Sequence, residues 1–403
     1  MAKGLVAALA RHGTLASAGM RTITIAALLG LSAVATHPAA ATTSEPSEIL
    51  REGWNAYVAR FVEADGRVVD PRGGGISTSE GQAYAMLRAV WMRDRAVFDK
   101  TYAWALAHLN TGVRKDRLWG WKWSKSADGQ WRVPDSAFAS DADQDVALAL
   151  ILAFHTWRDE RYRRDATAIL ADLWRLGTIK VEGRRFLLAG DKLCKGRSCR
   201  INASYYAPYA YRIFAIHDPQ RDWRGLVDSS YFVLESAASL TSTRLPPDWM
   251  LLDKSTGRLA LSDRKDSVFS YDAFRAYWRV ALDLELFGEP RAQRYLNATL
   301  PWLINRWERT GTFPAVVSSA GEDLARYEAT EMLTALGPAI RPLRPDIAAA
   351  VDRKLRANFK NGLWADNAGQ QDSYYLQNWA WFGTALYDRY LQPLASAARA
   401  TGN

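Results

Sequence analysis

Apolar residues recur along most of this chain at the three-and-four spacing of helices that bury one face. The stretch Asp145 to Trp157 shows it well, with Val146, Leu150, Ala153, Phe154 and Trp157 falling on one side. Read this way, the pattern predicts about twelve helices, over 46–64, 79–93, 95–110, 141–158, 160–177, 204–217, 222–240, 268–287, 290–306, 321–337, 344–358 and 372–391. Two segments read instead as strand hairpins: Thr178 to Leu188, turning at Glu182-Gly183, and Met250 to Leu261, turning near Ser255-Thr256-Gly257. No Pro/Gly/Ser-rich linker interrupts residues 45–395, so one domain is expected over 42–395. Twelve helices in six consecutive pairs predict an all-α fold, an (α/α)6 double ring. Its short loops would lie at one end and its long loops would build a groove at the other. The stretch from Gly112 to Phe138 is too long and aromatic for a plain connection, and loops of that kind are usually functional.

The ends of the chain read differently. Lys3, Arg11 and Arg21 precede or flank an apolar run from Thr22 to Ala35, and Ala39-Ala40-Ala41 supplies small residues for cleavage. Residues 1–41 are therefore expected to be a secretory signal, and 396–403 a flexible tail. Without the leader, which holds three basic and no acidic residues, the net charge falls from +9 to +6. That charge is scattered, with no basic arm for nucleic acid. No other run is long enough to span a bilayer, so no stable membrane insertion is expected after cleavage. Cys194 and Cys199 are the only cysteines. In an exported protein their spacing suggests a disulfide that clips a loop. Export implies a periplasmic or secreted location.

Composition changes the picture once. With 17 Trp and 17 Tyr among 403 residues, the chain has more Trp than a core needs. Carboxylates set among exposed aromatics suggest sugar chemistry, because rings stack on indoles and a glycosidic bond breaks between an acid and a base. Three helix starts carry such carboxylates. Glu80 sits in Ser77-Thr78-Ser79-Glu80-Gly81-Gln82 after Gly73-Gly74-Gly75, although Ser77-x-x-Glu80 also fits a capping box. Asp141, Asp143 and Asp145 share one first turn, where the helix dipole favours acids; Asp141 is the one expected to face the groove. Asp272 precedes Arg275 by three, which fits either a base held ionised by a guanidinium or an ordinary surface pair. Trp119, Trp121 and Trp123 alternate in the aromatic stretch and are groove candidates, with at least one expected to pack inward. No metal-binding, phosphate-loop or nucleophile-elbow motif occurs, and no cofactor or metal is expected.

These segments, in this order, resemble glycoside hydrolase family 8, and within it the periplasmic endoglucanases of bacterial cellulose-synthesis systems. The likeness is carried by Ala139-Ser140-Asp141-Ala142-Asp143, Thr78-Ser79-Glu80-Gly81-Gln82-Ala83-Tyr84, Ser270-Tyr271-Asp272-Ala273-Phe274-Arg275, Asn202-Ala203-Ser204-Tyr205 and Asp372-Ser373-Tyr374-Tyr375. It covers roughly residues 46–392. The resemblance implies an (α/α)6 barrel and inverting hydrolysis of a β-1,4-glucan such as cellulose. In that scheme Glu80 is the proton donor, Asp272 the base and Asp141 the residue that holds the sugar at the cleavage point. Arg275 would orient Asp272, while Tyr205 with Tyr374 or Tyr375 would bound the water pocket. It also implies a cellulose synthase complex as a partner. Chitosan, xylan or an acidic polysaccharide on the same fold, a non-catalytic glucan-binding protein, and a lyase are the alternatives.

Overall fold

A computed structural model describes residues 45–262 and 265–391, and these fall in one compact unit. The expected leader and tail lie outside the described residues. Thirteen α-helices dominate the described residues: α1 Glu48–Phe61, α2 Ser79–Trp91, α3 Arg95–Ala105, α4 Ser140–Trp157, α5 Glu160–Leu176, α6 Pro208–His217, α7 Trp223–Ser239, α8 Phe274–Phe287, α9 Pro290–Thr299, α10 Pro301–Thr310, α11 Thr330–Ile340, α12 Pro345–Ala357 and α13 Tyr374–Tyr387. The expected helix 290–306 is two helices, because Pro301 has no N–H to give and opens a new one. Three others start late. The expected 204–217 begins at Pro208, 268–287 at Phe274 and 321–337 at Thr330. In the last two cases the leading residues are drawn into Val268–Phe269 pairing with Val317–Ser318, and into bridges such as Pro314 to Glu328.

Helices α2, α4, α6, α8, α11 and α13 each pack on the next, and α13 returns to α2, closing an inner ring. Outside it, α3 lies on α2, α5 on α4, α7 on α6, α9 on α8, α12 on α11 and α1 on α13. The two rings differ in sequence for a physical reason. Helix α4 is buried on every side from Ser140 to Ala153, whereas α5 buries only the stripe Tyr162, Ala166, Ile169, Leu170 and Leu173. This is the expected (α/α)6 barrel.

Five of the inner helices, α2, α4, α6, α8 and α11, pass to their outer neighbours through short turns. Arg93, Arg158 and Gly288 take left-handed backbone angles there. The return connections are long, and all leave from the opposite end. The inner helices therefore run parallel, with their N-termini gathered under the long loops. The two expected hairpins form, as Thr178–Val181 with Arg184–Leu187 and Met250–Asp253 with Leu259–Leu261. The second hairpin joins a four-stranded sheet with Cys194–Lys195 and Ser198–Ile201. The aromatic stretch is not wholly irregular. Lys122–Lys125 pairs with Trp131–Arg132 and with Ser77–Thr78, the strand that leads into α2.

Ring closure demands a close approach of α13 to α11. A Cβ placed on Gly383 would stand 2.1 Å from the Thr334 carbonyl oxygen. We expect Gly383→Ala to destabilise the fold by about 1–3 kcal/mol through this overlap. Gly288→Ala, strained only by its φ of +61° in open space, is expected to cost about 1 kcal/mol. Urea melts of the two variants check the order, and an equal or smaller loss for Gly383→Ala contradicts the packing account.

Candidate active site

Glu80, Asp141 and Arg275 come from the first turns of α2, α4 and α8, and Asp272 from the turn just before α8. The fold brings all four together. Arg275 Nη1 donates to Glu80 Oε2 at 2.8 Å and to Asp141 Oδ2 at 3.2 Å, and Nη2 donates to Asp272 Oδ1 at 2.5 Å. Its Nε donates to the Asp272 carbonyl oxygen at 3.1 Å, and Nη1 reaches the Tyr84 hydroxyl at 3.5 Å. Arg275 is 1% exposed, whereas a third of the Asp272 side chain is open.

Local structure frees these carboxylates for one another. The cap of α2 is Thr78, whose Oγ1 accepts the Gly81 N–H at 3.0 Å, so the Ser77–Glu80 capping box does not form. Ser77 Oγ instead accepts from Arg67 Nε at 2.9 Å. Glu80 Oε1 is met by the Tyr374 hydroxyl at 3.2 Å, which also contacts Thr78 Oγ1 at 3.1 Å. Tyr375 donates to the Tyr271 carbonyl oxygen at 2.6 Å and so ties down the turn that carries Asp272. Tyr205 follows an Asn202–Ser204 turn, and the Arg275 guanidinium lies 5.4 Å from its ring centroid.

The acids below the mouth have other work. Asp143 Oδ1 accepts the Trp119 N–H at 2.9 Å and anchors the aromatic stretch. Asp145 pairs with buried Arg279, at 3.2 and 3.0 Å. Asp141 and Asp145 lie one turn apart on α4, and Arg275 and Arg279 one turn apart on α8. Two ionic rungs thus cross the barrel interior, one above the other. Sequence reasoning placed Arg275 beside Asp272 alone and missed the second rung, although the matched four-residue spacings were visible. It also missed Asp248 and Trp249. Asp248 Oδ1 accepts the Ser270 and Ala273 N–H groups at 3.0 and 2.7 Å, and Trp249 Nε1 donates to Asp272 Oδ2 at 2.9 Å.

The aromatic candidates divide. Trp119 is no groove residue: it is 1% exposed and stacks on Tyr102, because its amide is drawn inward by Asp143. Trp123 is partly buried, edge-on to Trp104 and His108. Trp121 is 38% exposed, and its carbonyl accepts the Ser79 N–H at 3.0 Å, one residue before Glu80. Trp131, equally open, lies under Arg67 in the same small sheet. Cys194 and Cys199 face each other across adjacent strands and are bonded.

Burial pushes the Glu80 carboxyl up to about 7, against the pull of Arg275 and aided by the negative Asp141 and Asp272. Burial likewise raises Asp141 to about 6, again opposed by Arg275. Tyr84, Tyr205, Tyr374 and Tyr375 are pushed well above the ordinary phenol range by burial and stay neutral.

A raised carboxyl value means that the folded state binds its proton more tightly than the unfolded chain. The resulting stability is complete below the ordinary value near 4 and is lost as pH climbs through about 6 to 7. Asp141→Asn removes one buried negative charge from three that share a single guanidinium. We expect it to raise Tm by about 1–3 °C at pH 8 and to leave Tm nearly unchanged at pH 4.5. Scanning calorimetry at the two pH values checks this, and a lower Tm at pH 8 would mean that the Arg275 contact outweighs the repulsion.

Comparison with known proteins gives the family and agrees with the fold. The model of glycosyl hydrolases family 8 matches residues 20–384. An endoglucanase of Pseudomonas fluorescens is 34% identical over 252 residues, covering 61% of this chain and 63% of that protein. One of Escherichia coli K12 is 32% identical over 271 residues, covering 66% and 71%. The crystal structure of an endo-1,4-D-glucanase from Vibrio fischeri superimposes with a TM-score of 0.73 at 26% identity, covering 83% of this chain and 94% of that one. Three acids on one guanidinium at the mouth of an (α/α)6 ring, under a family match spanning most of the sequence, place this chain in glycosyl hydrolase family 8.

Proposed function

We propose that this glycoside hydrolase is an endo-1,4-β-glucanase that cleaves β-1,4-glucan with inversion. Glu80 gives its proton to the leaving glycosidic oxygen as the C–O bond breaks. Asp272 takes a proton from the water that attacks the anomeric carbon from the other face. Asp141, deeper and held by Arg275, binds the sugar at the cleavage point, and Trp121 offers an open indole face beside it. The observation that carries the reading is the single guanidinium that links one acid with a raised affinity for its proton to a second, solvent-open acid. A proton donor working near neutrality needs the first, and a base that activates water needs the second.

The relatives named endoglucanase support the substrate class. Inversion is part of the proposal on the strength of the resemblance: it requires the carboxyl groups of Glu80 and Asp272, which bind different terminal nitrogens of Arg275, to stand about 6.5–9.5 Å apart so that a water fits between them. The same proposal includes export to the periplasm, supported by the leader-like residues 1–41 and the Cys194–Cys199 disulfide. A place beside a cellulose synthase is part of it on the strength of the resemblance alone.

Because the donor must be protonated, kcat/KM is expected to fall as pH rises through about 7. Glu80→Gln is expected to lower reducing-sugar release from carboxymethyl cellulose by about 10²–10⁴-fold. The first product seen by proton NMR should be the α-anomer. An unchanged rate for Glu80→Gln removes Glu80 from its role, and a β-anomer first product would rule out inversion.

A further inference from the structure

Asp272 stands apart from the other two acids because it sits on a turn ahead of its helix and a third of its side chain is open. A carboxylate so placed swings readily about its last torsion, whose preferences are broad. Arg275 holds only one of its oxygens. The other, Oδ2, meets the indole Nε1 of Trp249 at 2.9 Å. An indole N–H can only donate, so it occupies a carboxylate lone pair and offers no competing base. Hydrogen bonds to an ionised acceptor are the stronger kind.

The ring itself is well placed. The Trp249 backbone N–H donates to the Asp266 carbonyl oxygen at 3.2 Å, and the strand Met250–Asp253 begins at the next residue, paired with Ser198–Ile201. From that neighbouring strand, the Arg200 guanidinium lies 4.5 Å from the indole centroid, and Tyr205 packs edge-on at 5.7 Å. Consecutive residues therefore divide two tasks: Asp248 orders the backbone of the turn through the Ser270 and Ala273 amides, and Trp249 reaches the carboxylate.

We propose that Trp249 is a positioning residue for Asp272, fixing its second carboxylate oxygen so that the remaining lone pairs face the attacking water. This rests on the reading of Asp272 as the base. The Cys194–Cys199 hairpin and its sheet thereby gain a role in catalysis, as the frame that carries Arg200 and Trp249 to the site.

The test compares Trp249→Phe, which keeps a ring against Arg200 but loses the N–H, with Asp272→Asn and the unaltered protein on cellohexaose. Trp249→Phe is expected to lower kcat by about tenfold to a hundredfold while KM stays within about twofold, the signature of an interaction used in the transition state. In a ¹H–¹⁵N spectrum, the Trp249 indole signal, assigned through its contacts to Tyr205, should move in Asp272→Asn, whether or not Trp249→Phe folds well. Wild-type kcat for Trp249→Phe alongside an inactive Asp272→Asn overturns the positioning role alone, as does a loss carried by KM or an indole signal that Asp272→Asn leaves unmoved. An active Asp272→Asn overturns the base itself.

Discussion

One buried guanidinium organises the mouth of this barrel. Arg275 reaches carboxylates that arrive from α2, α4 and the turn before α8, positions separated by up to 195 residues in the chain. Burying Arg275 and Asp141, with most of Glu80, is expensive, and ion pairing in a dry interior rarely repays the cost in full. The cluster persists because the surrounding ring over-determines it. The inner helices are buried on most faces, largely among apolar side chains, so sliding one of them to separate the charges would uncover hydrophobic surface. A second rung, Arg279 with Asp145, fixes the relative height of α4 and α8 one turn further down. Stability is given up at the mouth and recovered in the wall.

The same architecture explains why the acids collect where they do. Every inner helix is entered from an outer one through a long connection, and five of them leave through a short turn, so all six inner helices point the same way. Their N-termini carry partial positive charge and unpaired N–H groups. Six such ends in one place favour anionic side chains, and the long loops fold over the same end. The small sheet of Ser77–Thr78, Lys122–Lys125 and Trp131–Arg132 brings the exposed indoles Trp121 and Trp131 to the start of α2. Acid, aromatic surface and helix start are thus joined by the pairing of Ser77–Thr78 with Lys122–Trp123.

Much of this was legible in the sequence because it depends on local periodicity. The helices from α1 to α5, and α7, α12 and α13, fall close to where the apolar spacing puts them, and the hairpins turn at Glu182-Gly183 and around Gly257. What escaped depended on distant partners. Residues 268–273 look helical in isolation but are held extended by the strand at Val317–Ser318 and by Asp248. Pro301 was the exception, a local signal that marked a break inside 290–306. In the site, Glu80, Asp141 and Asp272 could be singled out as acids at helix starts. Nothing near Arg275 in sequence announces that it touches all three, and nothing in Trp119-Gly120-Trp121-Lys122-Trp123 says that Asp143 will draw the first indole into the core. Alternation would put all three indoles on one face of a regular strand, but the strand begins only at Lys122, so the three rings part company.

The shared guanidinium also bears on how the proposed reaction proceeds. Before cleavage the proton sits on Glu80 and Asp272 is ionised. Afterwards Glu80 is ionised and Asp272 carries the proton taken from water. The summed charge around Arg275 is the same at both ends, and only its position shifts, from the Nη2 side to the Nη1 side of one delocalised cation. A group bonded to both acids throughout can follow that shift without moving, so little reorganisation is needed as charge develops. Two separate lysines would each lose or gain a partner in the same step. That difference is a physical reason for a planar, always-charged side chain at this position, and for its burial, since water around it would weaken the coupling between donor and base.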